Sequence, residues 1–278
     1  MSSTTRVALV TGASSGIGAD AALRLKEAGY AVYGAARRTE RMSALQSAGV
    51  NVLGLDVTDD DSIRTAVDRI IRQSGRIDVL VNNAGYGSYG SIEDVPMDEA
   101  RAQIEVNVFG LARLTQLVLP HMRAQHSGTI INISSMGGKL VTPLGGWYHA
   151  SKYAVEALSD ALRMETAQFG INVVVVEPGS IRTEWGAIAA QKLGETSNRG
   201  AYSTLAGAVS KALAASSQPN ARMTSAPSVV GYTIVEIAKA RRPRTRYRVG
   251  FGAGPMLFMR WLLPDRAFDA VIGRALGV

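Results

Sequence analysis

The stretch Val7-Ala8-Leu9-Val10-Thr11-Gly12-Ala13-Ser14-Ser15-Gly16-Ile17-Gly18 decides how this chain folds. Its first five residues are apolar or β-branched and read as a buried strand. Glycines follow at positions 12, 16 and 18, and residues 17–27 then carry alanine and leucine at helical spacing up to a stop at Gly29. Strand, tight turn and helix in this order open a βαβ unit. The start of a helix presents unpaired N–H groups and a partial positive charge. Glycine lets a diphosphate approach that backbone closely, and Gly18 lets the helix sit tightly on the sheet. The spacing is Gly-x-x-x-Gly-x-Gly, not the commoner Gly-x-Gly-x-x-Gly. Taken alone, the loop also suits a tight turn that holds no ligand.

The same alternation continues outward. Residues 7–11, 31–35, 52–55, 79–81, 129–133 and 173–176 are short β-branched runs bounded by turn or polar residues. Helical patterns lie between them, at 62–73 with Ile63, Ala66, Val67, Ile70 and Ile71 on one face, at 111–123 and at 148–167. This predicts an α/β fold, a parallel sheet with helices on both faces. Right-handed crossovers make it a doubly wound, Rossmann-type sheet. Pro178-Gly179 breaks the pattern. Residues 182–227 are rich in Ala, Ser and Gly and read as one or two mobile helices with loops. A helix at 229–239 and a last strand at 247–249 follow. Residues 250–254 read as flexible, and 255–278 as an apolar, arginine-bearing helix, a break at Pro264 and a short helix. The expected organisation is one catalytic domain, 1–249, including a substrate lid at about 182–227, and a helical extension, 250–278.

Composition narrows the classes of function. The chain has 278 residues, 46% of them hydrophobic, enough for a sizeable core. With no cysteine it can form neither disulfides nor thiolate metal sites. His121, His126 and His149 lack metal-ligand spacing and read as satisfied or exposed. No metal is expected. The segment starting at Met1 reads as a short tail entering a strand, not a signal peptide, and no run of about 18 apolar residues suggests a membrane span. Cytoplasmic residence is expected. The net charge of +7 owes much to Arg241, Arg242, Arg244, Arg246 and Arg248. Such a cluster can meet nucleic acid, an anionic membrane or an acidic substrate. No aromatic platform or nucleic-acid motif accompanies it. A solvated connector is the plainer reading, and no nucleic-acid partner is expected.

Chemistry enters with Tyr148 and Lys152, four apart and therefore on one helix face. A free phenol has a pKa of about 10, too high for proton work at neutral pH. A nearby ammonium favours the phenolate, and a shift of about three units corresponds to roughly 4 kcal/mol. Ser135, just past the fifth strand, is placed to hydrogen-bond a substrate oxygen. Tyr-x-x-x-Lys alone occurs by chance. With the glycine loop and Ser135 in register it points to a carbonyl–alcohol interconversion. The end of the second strand, Ala35-Ala36-Arg37-Arg38, carries no acid to bind a ribose 2′-hydroxyl. Two guanidiniums suit a 2′-phosphate. NADP(H) is the preferred cofactor, with NAD(H) possible; the alternative is that Arg37 and Arg38 only start a solvated helix.

These motifs together resemble the short-chain dehydrogenase/reductase family over roughly residues 5–185. The resemblance rests on residues 11–18, Leu55-Asp56-Val57, Asn82-Asn83-Ala84-Gly85, Asn107, Ser134-Ser135, Tyr148-His149-Ala150-Ser151-Lys152 and Pro178-Gly179. It implies that Gly12, Ser14, Ser15, Gly16, Ile17 and Gly18 cradle the cofactor and that Asp56 and Val57 meet its adenine. It implies that Asn83, Ala84 and Gly85 line the cofactor, with Asn83 also bracing the central strands. Tyr148 and Lys152 would contact the cofactor as well as act in catalysis. Asn107 would complete a proton relay through a water, and Pro178, Gly179, Ile181 and Thr183 would meet the nicotinamide end. The Asn-Ala-Gly-Tyr86-Gly87 stretch, the basic second-strand end and the arginine-rich tail are similar to hydroxysteroid and retinol dehydrogenases and their bacterial relatives. That likeness implies a hydrophobic small-molecule alcohol or ketone and a homo-oligomer, dimer or tetramer.

Around the site, residues 136–147 are expected to wall the substrate pocket, with Trp185 either a substrate contact or plain core. The tail residues Met256, Leu257, Phe258, Met259, Trp261, Leu262 and Leu263 surround Arg260. They read as a flap over the pocket, as an interfacial helix making peripheral membrane contact, or as packing against the domain or a sister subunit. The functional expectation is an oxidoreductase moving a hydride between NADP(H) and a hydrophobic carbonyl or alcohol. The rivals are a non-catalytic NADP(H)-binding regulatory protein, which needs no intact Ser-Tyr-Lys set, and a membrane- or nucleic-acid-associated scaffold.

Overall fold

Strand β1 (Val7–Thr11) is buried at every position, which requires cover on both faces of the sheet. Its side chains alternate: Ala8 and Val10 join one apolar cluster, Val7 and Leu9 another. The computed structural model describes residues 5–277; the tail expected at 1–4, and Val278, lie outside the described residues. In chain order the elements are β1, α1 (Gly16–Glu27), β2 (Ala31–Ala36), α2 (Ser43–Ser47), β3 (Asn51–Gly54), α3 (Asp60–Ser74), β4 (Val79–Asn82), α4 (Met97–Ile104), α5 (Leu111–Ala124), β5 (Gly128–Ile133), α6 (Gly146–Thr166), β6 (Ile171–Pro178), α7 (Trp185–Ser197), α8 (Ser203–Ser216), α9 (Ser228–Lys239), β7 (Arg246–Val249), α10 (Ala253–Leu262) and α11 (Asp265–Leu276).

The seven strands form one parallel sheet in the order β3-β2-β1-β4-β5-β6-β7. This is the doubly wound arrangement that the alternating pattern predicts. Helices α1 and α9 cover one face, where Ala21, Leu25, Ile234 and Ile237 meet Val10, Val81 and Val174. Helices α3 and α5 cover the other, where Ile63, Ile70, Leu114 and Val118 meet Leu9, Leu80 and Ile130. Each fully buried side chain of this size contributes about 1.5–3 kcal/mol, so the two layers hold the sheet rigid. Strand order reverses between β1 and β4, which opens a crevice past their C-terminal ends.

The structure differs from the sequence expectation in three places. Helix α3 starts earlier than 62 because the Asp59 side chain caps it, accepting from the N–H groups of Asp61 and Ser62. The segment before residue 111 is helical as well: α4 runs into a π-helical turn, Glu105–Gly110, which leads into α5. The wider turn shifts the side-chain period, and few apolar residues mark its buried face. The expected lid segment holds two helices, α7 and α8, within the one or two expected there. Finally, the arginine cluster is not wholly solvated. Arg246 lies 3.1 Å from Glu156, 2.7 Å from Asp160 and 3.4 Å from Glu177, and Arg248 is 3.4 Å from Glu177. Glu156 and Glu177 are buried, so β7 is tied to α6 by compensated charge.

The tail packs onto the domain. Leu257, Phe268 and Ile272 are buried against Leu140, with Met136 and Leu276 alongside. Phe258, Trp261 and Leu262 face outward. Among the described residues no helix is long and apolar enough to cross a membrane.

Candidate active site

The crevice at the strand-order reversal is a cavity of about 1020 Å³. It joins the glycine loop at one end to an apolar chamber at the other. Gly12 and Gly16 hold φ of 67° and 56°, a left-handed conformation that favours glycine. A side chain on Gly18 would collide with the Gly12 carbonyl and the Asn83 amide. Ser15 caps α1 without a side-chain hydrogen bond, and the first turn carries no acid. The free N–H groups and positive end of α1 therefore face the crevice, a donor set that fits a diphosphate.

The expected cofactor residues converge there. Gly12, Ser14, Ser15, Gly16 and Ile17 line the cavity, as do Arg37, Arg38, Asp56, Val57, Asn83, Ala84, Gly85, Pro178, Gly179, Ile181 and Thr183. Gly18 stands behind the loop. Asn83 donates from Nδ2 to the Thr11 carbonyl at 2.9 Å, and its N–H reaches Thr11 Oγ1 at 3.0 Å, joining β1 to β4. Arg37 and Arg38 stand at the end of β2, with Arg37 4.0 Å from Asp56. Arg41 pairs with Glu184 at the start of α7, so an ion pair links the β2 side to α7.

Ser135, Tyr148 and Lys152 line the same cavity farther in. Tyr148 and Lys152 are buried one turn apart on α6. The Lys152 ammonium donates to the Ile133 carbonyl at 2.9 Å. Burial lowers its pKa to about 8, against the pull of Glu156 one turn on. Burial raises the Tyr148 phenol to about 12, although the Ser135 hydroxyl beside it acts in the opposite sense. The expectation that Lys152 drives the phenol below its free value does not hold for the chain alone: desolvating a phenolate outweighs what the neighbours return. With a pKa of about 12 the phenol keeps its proton, and giving it up calls for positive charge beside the phenolate.

Asn107 stands behind the wall, buried in the π-helical turn. Its Nδ2 donates to the Tyr86 carbonyl and to Ser151 Oγ, both at 3.0 Å, and its Oδ1 accepts from the Tyr86 N–H at 3.1 Å. A side chain on Gly85 would meet Asn107 Oδ1 at 2.9 Å and Lys152 Nζ at 3.8 Å. The glycine keeps the two polar groups facing across one gap.

Aromatic rings close the chamber. The Trp185 ring lies 5.0 Å from Tyr148 and 5.8 Å from Tyr89, and Tyr89 lies 5.9 Å from Tyr148. Trp185 thus faces the site and is not plain core. Val209 and Leu213 of α8, Leu140 and Leu276 complete the apolar wall. Helix α7 is fastened beneath by Lys192 to Glu99 at 2.7 Å and by Ser197 Oγ, which accepts from the Ser91 N–H at 2.9 Å. Tyr89, Leu276 and Lys192 escape sequence reasoning. Tyr89 had a weak signal, four residues past Gly85, whereas no local pattern marks Leu276.

Residues 6–193 match the short chain dehydrogenase family model. The chain belongs to the short-chain dehydrogenase family. Relatives in this family of oxidoreductases include an NADPH-dependent 3-dehydrocapnine reductase of Ornithobacterium rhinotracheale, 35% identical over 276 residues, 96% of this chain and 95% of that protein. A 3-ketodihydrosphingosine reductase of Bacteroides thetaiotaomicron is 44% identical over 178 residues, 64% of this chain and 65% of that protein. Among solved structures, a short-chain dehydrogenase from Streptomyces avermitilis aligns with a TM-score of 0.78 at 33% identity, covering 98% of this chain and 96% of that one.

Proposed function

We propose that this short-chain dehydrogenase is an NADP(H)-dependent oxidoreductase that interconverts a ketone and a secondary alcohol on a lipophilic molecule with a long aliphatic part. One observation carries the reading: Ser135, Tyr148 and Lys152 line a single cavity that runs from the glycine cradle to an aromatic and aliphatic chamber. Arg37 and Arg38 at the acid-free end of β2 favour the 2′-phosphate form of the cofactor. The reductase whose name specifies NADPH supports the same choice. The relatives named as a 3-ketodihydrosphingosine reductase and a 3-dehydrocapnine reductase support a reductive reading, and the apolar wall formed by Trp185, Val209, Leu213 and Leu276 suits a lipophilic substrate.

A bound nicotinamide supplies the hydride in reduction and accepts it in oxidation. In reduction, Ser135 holds the carbonyl oxygen by hydrogen bond and Tyr148 Oη gives it a proton. Lys152 would hold the ribose and stabilises the phenolate left behind, and Asn107, held by Tyr86 and Ser151, would complete the relay that reprotonates Tyr148. Helices α7 and α8 act as the lid that excludes water during transfer.

The test is to follow NADPH and NADH oxidation with a panel of long-chain ketones. Turnover is expected with NADPH, and Tyr148→Phe should reduce it by about 10³-fold while NADPH affinity stays within about twofold. A Tyr148→Phe variant that keeps most of its turnover removes the assignment.

A further inference from the structure

His149 follows Tyr148 on α6 and takes no part in the proton transfer just described. It is 4% exposed, yet both ring nitrogens are engaged by one loop, residues 136–145. The Thr142 N–H lies 3.0 Å from Nε2. A backbone amide only donates, so Nε2 carries the lone pair and the ring proton is on Nδ1, which donates to the Gly137 carbonyl at 3.0 Å. The Thr142 hydroxyl also lies 3.0 Å from Nε2. The loop is shaped around the ring: a side chain on Gly137 would meet Nδ1 at 2.9 Å, and one on Gly145 would meet Nε2 at 2.8 Å.

That loop sets the substrate side of the cavity. It leaves Ser135, whose Oγ accepts from the Gly137 N–H at 3.0 Å, and it supplies Leu140 and Thr142 to the wall. It also holds Leu144 at a φ of 64°, a conformation that a branched side chain adopts only when its surroundings impose it. The imidazole, 5.6 Å from the Tyr148 ring and 6.4 Å from Tyr89, links this loop to the helix that carries the phenol.

We infer that His149, neutral and protonated on Nδ1, is a positioning residue that sets Ser135 and the 136–145 wall against Tyr148, and that protonating it takes the reductive site apart. The inference rests on the reading of Ser135 and Tyr148 as the groups that handle the substrate oxygen. An imidazolium would turn a second donor toward the Thr142 N–H. The titratable groups against the ring are Tyr148 from its own helix and Tyr89 from the loop after β4. Gly137 and Thr142 face it from the 136–145 loop, and no carboxylate among the described residues acts on it. Burial accordingly holds its pKa below the usual 6.5. The clamp is complete above that depressed value and is lost as pH falls through it. Tyr148 and Lys152 both keep their protons in acid, so neither disables reduction there.

The experiment uses the full chain with NADPH and a ketone it reduces, and compares wild type with His149→Gln and His149→Asn. In the reductive direction wild-type kcat/KM should fall by about tenfold below pH 6.5. His149→Gln, which accepts from Thr142 without titrating, should flatten that fall and raise KM, with NADPH affinity unchanged. Nitrogen NMR of the ring should show the Nδ1–H tautomer at pH 7, and the Thr142 amide should lose exchange protection in acid in wild type only. An Nε2–H ring, a charged ring at pH 7 or an acid fall that persists in both variants overturns the inference. Turnover that withstands Tyr148→Phe instead defeats the reaction itself, whereas the tautomer and the Thr142 protection report on the clamp separately.

Discussion

The two ends of the cavity are built by different means. At the cradle, backbone does the recognition: Gly12, Gly16 and Gly18 are required by conformation and close approach, and the Asn83 side-chain amide ties the end of β4 to the Thr11 carbonyl of β1. At the chamber, side chains from distant stretches meet: Tyr89, Leu140, Trp185, Val209 and Leu276 share one wall. The first end sits on a rigid sheet and admits one kind of ligand. The second is assembled from a loop, α7, α8 and the tail, all outside the sheet.

Substitutions at each end test this contrast. The largest effect after loss of the Tyr148 hydroxyl is expected at the cradle. Gly18→Val forces the loop away from α1 and should weaken NADPH binding by about 100-fold, measured by fluorescence titration. Replacing Arg37 and Arg38 together by serine should lower the preference for NADPH over NADH by about 30-fold in kcat/KM, with NADH kinetics little changed. At the chamber, Trp185→Ala should raise the ketone KM by about tenfold and leave NADPH affinity as it was. If Trp185→Ala weakens the cofactor as much as the ketone, the two ends are not separable.

The smallest effect concerns stability. Lys152 has a folded pKa of about 8 against 10.5 when free, so below pH 8 it is charged in both states and the fold bears the burial penalty. Lys152→Met, though inactive, should therefore unfold at higher temperature at pH 7, by about 1–3 kcal/mol of added stability. Between pH 8 and 10.5 only the unfolded wild type keeps the extra proton. Wild-type stability from this group therefore rises with pH, and the gap to the variant should close. Thermal melts across that range check the sign.

Legibility followed the same division. The sheet, its doubly wound order and the cradle could be read because β-branched runs, helical spacing and glycine positions are local signals. Ser135, Tyr148 and Lys152 could be read because their spacing carries chemistry. Asn107 came only through family resemblance, since the π-helical turn around it disturbs the spacing that marks a buried helix face. Arg246 looked like part of a solvated run because its partners Glu156, Asp160 and Glu177 are far away in sequence. His149 looked idle because the Gly137 carbonyl and the Thr142 N–H and hydroxyl reach it only through the fold of the 136–145 loop, which no local pattern marks.

The widened turn at Glu105–Gly110 carries a lesson about insertions and deletions. One surplus residue is accommodated there, so removing a residue would restore a regular coil and rotate everything upstream by about 100°. The amide at 107 would swing out of register with its partners on Tyr86 and Ser151. Length, more than composition, is what this stretch contributes to the site.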